Sequence, residues 1–184
     1  MRVFLTGSSS HFAQALLPRL CAHPQVECVT GVDVAPPHSS HAKFRAQVLD
    51  IRDARIARAM QGHDVLVHLA FVVLRGRMPE AEMRSVNIDG TRHVFRAARA
   101  AGVTRFVHLS SAAVYGGGER LTEDAPLAPL PGFLYGEHKA GLERWLAAEF
   151  PECARLRPHV ILGPHAQPLL ARLLAQPCCL RLPD

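Results

Sequence analysis

The sequence predicts an α/β fold in which a doubly wound parallel sheet carries helices on both faces. Three observations predict it. Apolar runs of strand length alternate with stretches of helix length along most of the chain. Strands that alternate with helices argue for a parallel sheet covered on both faces, and the second strand run is rich in Val. The polar clusters follow strand ends, which is where ligands bind in open parallel sheets.

Residues 3–5 form the first strand, which ends at Thr6-Gly7. Residues 12–21 have helical spacing, with Phe12, Ala15, Leu16 and Leu20 on one side. Residues 26–32 are a second, Val-rich strand ending at Asp33, and Pro36-Pro37 marks the loop after it. A third strand is expected over 44–49, a short helix over 52–60 and a fourth strand over 65–69. A long helix is expected over 79–101, stopped by Gly102. Residues 105–109 are the fifth strand, followed by a Ser- and Gly-rich loop to Gly118. The proline-rich stretch 122–131 is loop. Residues 134–150 are helical, 154–156 begin a sixth strand, and a last helix is expected over 169–174. Crossovers in such a sheet are right-handed.

The 184 residues fit one domain without ruling out two. The net charge is +5, but the arginines are scattered rather than gathered into a tract, so nucleic-acid binding is not expected. No apolar run reaches transmembrane length, and the N-terminus lacks the core of a signal peptide. The five cysteines (Cys21, Cys28, Cys153, Cys178, Cys179) are odd in number and lack C-x-x-C spacing. They read as reduced thiols in a cytoplasmic protein. The histidines form no ligand pattern, so no metal site is expected.

The residues that carry chemistry follow the strands. The loop Thr6-Gly7-Ser8-Ser9-Ser10-His11-Phe12-Ala13 has Gly7 where the chain turns and a small residue, Ala13, where helix meets strand. Ser10 stands where a dinucleotide loop wants a second glycine against the pyrophosphate. Its side chain either crowds the phosphates or donates a hydroxyl hydrogen bond to them; alternatively it is a helix N-cap. Asp33 lies 26 residues after Gly7, where a carboxylate accepts ribose hydroxyls and repels a 2′-phosphate, favouring NAD over NADP. Asp50-Ile51 and His68-Leu69-Ala70-Phe71 follow the third and fourth strands. Ser110 and Ser111 follow the fifth, positioned to bond a substrate oxygen. Tyr135 and Lys139, four apart, share a helix face. An ammonium there favours the phenolate and lowers the tyrosine pKa from about 10, making Tyr135 a general acid/base; alternatively the two are neighbours on an ordinary helix.

Taken in order, these segments resemble the extended short-chain dehydrogenase/reductase family of the NAD-dependent epimerase/dehydratase type, whose fold is Rossmann-type. The matching stretches also include Val86-Asn87-Ile88-Asp89-Gly90-Thr91, Ser110 to Gly116, and Arg157-Pro158 through Gly163-Pro164. The resemblance implies a catalytic Ser111, Tyr135 and Lys139. Tyr135 is the acid/base, Lys139 binds the nicotinamide ribose, and Ser111 bonds the reacting oxygen. Gly7, Ser10, His11, Phe12, Asp33, Asp50, Ile51, Leu69, Ala70 and Pro158 line the cofactor site together with Tyr135 and Lys139, and Asn87 is structural beside it. The implied reaction is Tyr-assisted hydride transfer from a hydroxyl-bearing substrate to NAD, with nucleotide sugars as one substrate class and a homodimer through the two long helices. The family departs from this chain in having glycine at Ser10 and usually at Ala13. Residues 1–158 are then the dinucleotide-binding domain. Residues 159–184 begin a substrate region of which most is expected to be lacking, and the selecting loops are 72–78 and 116–131. Two other readings are a non-catalytic dinucleotide sensor and an interaction domain on the same fold; the Tyr-Lys pair argues against the sensor.

Overall fold

The computed structural model describes residues 1–163. Six strands, β1 (Arg2–Thr6), β2 (Cys28–Asp33), β3 (Phe44–Val48), β4 (Val65–His68), β5 (Arg105–Leu109) and β6 (Ala154–Leu156), form one sheet. Every neighbouring pair is parallel, in the order β3-β2-β1-β4-β5-β6. This is the Rossmann-type order. It reverses between β1 and β4, so the crevice at the carboxyl ends of those strands is where such a sheet takes ligands. The connecting helices are α1 (His11–Ala22), α2 (Arg55–Ala59), α3 (Glu80–Arg84), α4 (Thr91–Ala100) and α5 (Leu134–Glu149).

The two-residue period of the central strands sorts their side chains between two cores. Phe4 of β1 and Leu66 of β4 enter one, with Ile56, Met60, Phe95, Phe106 and Phe150. Their neighbours Val3, Leu5, Val65 and Val67 enter the other, under Ala13, Leu17 and Cys21 of α1. Phe95 lies at the centre of an aromatic cluster, with ring centroids 5.2 Å from Phe150 and 5.8 Å from Phe106. Burying a side chain of this size stabilises by about 1.5–3 kcal/mol. Cys21, Cys28 and Cys153 are free thiols among the described residues. No helix among those residues is long and apolar enough to cross a membrane.

The polar core at the sheet's centre is uneven. His68 bonds Thr6 Oγ1 at 2.7 Å and Thr91 Oγ1 at 2.9 Å, and burial pushes it down to about 3. His108, its partner in register on β5, stacks on it at 5.6 Å. Neither ring nitrogen of His108 has a hydrogen-bond partner among the described residues, and burial holds this imidazole well below its usual pKa.

Several elements differ from the sequence expectation for local reasons. Strand β2 starts at Cys28, because Val26 closes a turn onto His23 O at 3.1 Å and packs under α1 instead. Helix α2 is shorter than 52–60, since Asp50 and Asp53 accept bonds from the backbone N–H of Arg52 and Arg55, each at 2.8 Å. Such carboxylate turns compete with helix. The helix expected over 79–101 is α3 and α4 joined by a π-helical segment, Ser85–Gly90. After β5, residues Ala112–Tyr115 form a 3₁₀ turn rather than plain loop. The helix expected over 169–174, the Cys178-Cys179 pair and most of the 159–184 region lie outside the described residues.

Candidate functional site

At the end of β1 the chain turns through Gly7, whose φ is +71°. A Cβ there would lie 2.6 Å from Ala70 N, so only glycine lets β1 and the segment after β4 come this close. The Gly7 N–H donates to Val32 O at 2.9 Å, tying the turn to β2 as well. Ser10 then starts α1. Its hydroxyl accepts the Ala13 N–H at 3.2 Å, which is the N-cap arrangement. Of the roles the sequence left open for Ser10, the structure shows this one.

Beside this loop a cavity of about 400 Å³ runs along the carboxyl edge of β1, β2 and β4. Gly7, Ser10, Asp33, Asp50, Ile51, Leu69 and Ala70 are among the residues that line it. His11 is exposed and Phe12 packs against the core under α1; neither lines the cavity. Pro158 lies elsewhere, its carbonyl accepting the Ala112 N–H at 2.9 Å beside the loop after β5. Asp33 sits at the end of β2 with Oδ2 accepting from Ser9 N at 3.0 Å and Oδ1 from Ala35 N at 3.1 Å. Two backbone donors thus aim the carboxylate without consuming all its acceptor sites.

On the far wall the sequence pointed to Asp50 and Asn87 but not to their partners. Arg52 chelates the Asp50 carboxylate through Nε and Nη2 and reaches Glu82 Oε1 of α3 at 2.7 Å. This holds Asp50 below the usual carboxylate range. Arg52 thereby bridges the end of β3 to α3. Asn87, buried within the π-helical segment, clamps the other side: its side chain accepts Val72 N at 2.8 Å and donates to Val72 O at 3.0 Å. Nothing in the sequence pairs residues 15 or 30 positions apart except the fold itself.

Ser111, Tyr135 and Lys139 do not line the cavity, but Phe71, which does, touches both Lys139 and Tyr135. Ser111 caps the 3₁₀ turn by accepting the Ala113 N–H at 3.2 Å. Lys139 is 3% exposed. Its Nζ donates to Leu109 O at 2.5 Å and stands 3.6 Å from the Phe71 ring centroid, against 5.9 Å for the Tyr135 ring. Burial pushes its ammonium down to about 7, with Glu143 one helical turn away pulling it back up. The Tyr135 phenol is pushed up by burial, and the Ser111 hydroxyl offsets part of that. This corrects the expectation from spacing, in which the ammonium lowers the tyrosine pKa. The lysine points at a carbonyl and a neighbouring ring, so desolvation outweighs attraction at the phenol.

A buried ion pair braces the group. Glu143, with its side chain 1% exposed, accepts from Arg157 Nε at 2.9 Å and Nη2 at 2.5 Å, and also from the Ser110 hydroxyl. Arg157 further donates to Tyr115 OH at 2.5 Å and Glu123 O at 2.7 Å. One guanidinium thus joins the end of β6, α5, the 3₁₀ turn and the loop around Glu123.

Comparison with known proteins places this geometry. A 3 beta-hydroxysteroid dehydrogenase/Delta 5-->4-isomerase of Mycobacterium tuberculosis is 32% identical over 176 residues, covering 88% of this chain and 42% of its own length. A farnesyl-dihydroquinoline-oxide ketoreductase of Stigmatella aurantiaca is 33% identical over 140 residues, covering 71% of this chain and 40% of its own. The solved structure of MoeE5 in complex with UDP-glucose and NAD superposes with a TM-score of 0.82 at 26% identity, covering 95% of this chain and 60% of that one. The chain therefore spans about half the length of the relatives it matches. Residues 3–176 match the sequence model of the NAD dependent epimerase/dehydratase family, and to that family the chain belongs.

Proposed function

We propose that the chain is the dinucleotide-binding part of an oxidoreductase that binds NAD and supports hydride transfer at a hydroxyl-bearing carbon. The single observation that carries this is the meeting of two things at one sheet edge: a cavity bounded by Gly7 and Asp33, and the Ser111, Tyr135 and Lys139 group beyond it. The residues present fit the dinucleotide. Gly7 permits the close backbone approach, the N-terminus of α1 favours a pyrophosphate, and Asp33 offers acceptors to ribose hydroxyls. Its negative charge also disfavours a 2′-phosphate, hence NAD rather than NADP.

When bound, NAD supplies the carbon that accepts the hydride. The chain's own part is proton handling and alignment. The Ser111 hydroxyl bonds the reacting oxygen, and the Tyr135 phenol exchanges the proton with it. In the alcohol-to-carbonyl direction the hydroxyl proton passes to the Tyr135 phenolate, and burial, by raising the phenol's pKa, leaves less of that phenolate near neutrality. Removing a proton from an alcohol becomes easier as pH rises. A nucleotide sugar is the proposed substrate class, supported by the UDP-glucose held by MoeE5. A second reading, an alicyclic alcohol, is favoured by the mycobacterial hydroxysteroid dehydrogenase, a relative of higher identity.

The test is Tyr135→Phe, read by NAD titration and by turnover in a form of the protein that is active. The expected result is unchanged NAD affinity with turnover lowered by about 10² or more. Undiminished turnover removes Tyr135 from the acid/base role. Absence of NAD binding in the unaltered chain removes the dinucleotide reading itself.

A further inference from the structure

The position of Phe71 bears on how a dinucleotide reaches Lys139. Phe71 lies three residues past the end of β4 and lines the cavity together with Ala70 and Val72. Its ring face covers the Lys139 ammonium at 3.6 Å, and it meets the Tyr135 ring edge-on at 5.6 Å and 83°. The cavity is lined by Phe71 but not by Ser111, Tyr135 or Lys139. Asp33, Asp50 and this ring all belong to its wall.

We propose that Phe71 is a specificity-determining gate: in the position seen, it leaves the cavity open to an adenine nucleotide and closes Lys139 and Tyr135 to the nicotinamide half of a dinucleotide. The inference rests on the dinucleotide reading above and adds to it a residue outside the Ser111, Tyr135 and Lys139 group. Two contacts favour the closed position. The ring face over a desolvated ammonium is a cation–π contact, and the edge-to-face packing on Tyr135 adds to it. Phe71 itself is only half-buried, so turning the ring outward meets solvent rather than packed core. The open position exchanges the ring face for hydroxyls that the ammonium can donate to. A ligand lacking the nicotinamide riboside gains nothing from opening. For one that has it, the apparent affinity is reduced by the fraction of molecules that are open. The low pKa of Lys139 agrees with a closed, water-excluded ammonium.

The experiment compares Phe71→Ala and Phe71→Leu with the unaltered chain, titrating each with ADP and with NAD by calorimetry. Removal of the ring is expected to tighten NAD by about tenfold, the effect of a gate open in roughly a tenth of molecules, and to leave ADP within about twofold. Unchanged ADP affinity also reports that the variants are folded. The second readout uses the scarcity of lysine, Lys43 and Lys139 being the only two in the sequence. Brief acetylation with acetic anhydride, mapped by mass spectrometry, gives the labelling of Lys139 relative to Lys43. That ratio is expected to rise by about tenfold in Phe71→Ala. NAD binding that weakens in both variants, or a labelling ratio that does not move, overturns the gate while leaving the dinucleotide reading in place. Failure of all three proteins to bind either nucleotide overturns that reading and the gate with it.

Discussion

Replacing Arg157 by Met tests how far the active group depends on the buried ion pair. The variant keeps an apolar stem of similar length but leaves the Glu143 carboxylate, 1% exposed, with only the Ser110 hydroxyl and Arg155 Nε at 4.0 Å. Removing one partner of a buried pair costs about 3–5 kcal/mol, because the other charge stays buried and unpaired. Arg157 is 16% exposed, so water can enter and Arg155 can draw nearer. The lower end of that range, about 3 kcal/mol, is therefore expected. For a chain of this size that lowers Tm by about 6–12 °C. Urea and thermal unfolding followed by circular dichroism measure it. The double variant Arg157→Met with Glu143→Leu removes both charges and should recover most of the loss, since an apolar replacement of a buried pair is often neutral. A loss below about 1 kcal/mol in the single variant, or a double variant no more stable than the single, refutes the reasoning.

Other expectations concern separate parts of the molecule. Ser10→Gly frees the Ala13 N–H for a phosphate oxygen and removes the side chain from the cavity wall, so NAD should bind more tightly while apo stability falls by only a few tenths of a kcal/mol; isothermal titration and thermal melts read the two effects. His108→Leu exchanges an imidazole with two unpartnered nitrogens for an apolar side chain. It should stabilise by about 1–3 kcal/mol, and a destabilised variant would mean that the ring has polar partners after all. Lys139 has its pKa lowered from 10.5 to about 7 on folding. The unfolded chain thus binds the extra proton between those values, and this residue's contribution to stability improves as pH rises through that window. Lys139→Met should accordingly exceed the unaltered chain most at pH 7 and least near pH 10.5 in urea titrations. Asn87→Ala releases both backbone groups of Val72, and hydrogen exchange at the Val72 amide should quicken by about tenfold or more.

What the sequence revealed of the site was what local backbone demands reveal. Gly7 is legible because a turn with positive φ needs glycine, and Asp33, Asp50, Ile51, Leu69 and Ala70 because they close strands recognisable by their apolar runs. Tyr135 and Lys139 are legible by helical spacing, but their electrostatics are not. The sign of the Tyr135 shift depends on how deeply the phenol is buried and on the Lys139 ammonium turning to Leu109 and Phe71. Arg52 and Glu82, or Asn87 and Val72, are joined only by the crossover geometry. No spacing rule pairs them. Ser10 shows the same limit at a single residue: its identity suggested three roles, and the Ala13 N–H at 3.2 Å shows the N-cap among them.

The π-helical segment at Ser85–Gly90 has a consequence for how the chain can change length. Each residue added to or removed from an α-helix turns everything beyond it by about 100°. A wider turn absorbs one surplus residue locally, so the flanking α3 and α4 keep their own faces: Met83 on one side, Val94 and Phe95 on the other, all buried. Deleting one residue between Ser85 and Gly90 would leave a regular α-helix, favourable as an isolated element. Met83 and Phe95 would keep facing the core, and what would move is the segment's own buried side chain, Asn87, with its two bonds to Val72. The surplus residue therefore serves the Asn87 clamp rather than the aromatic cluster, whereas the exposed loop at residues 74–77 meets no such constraint.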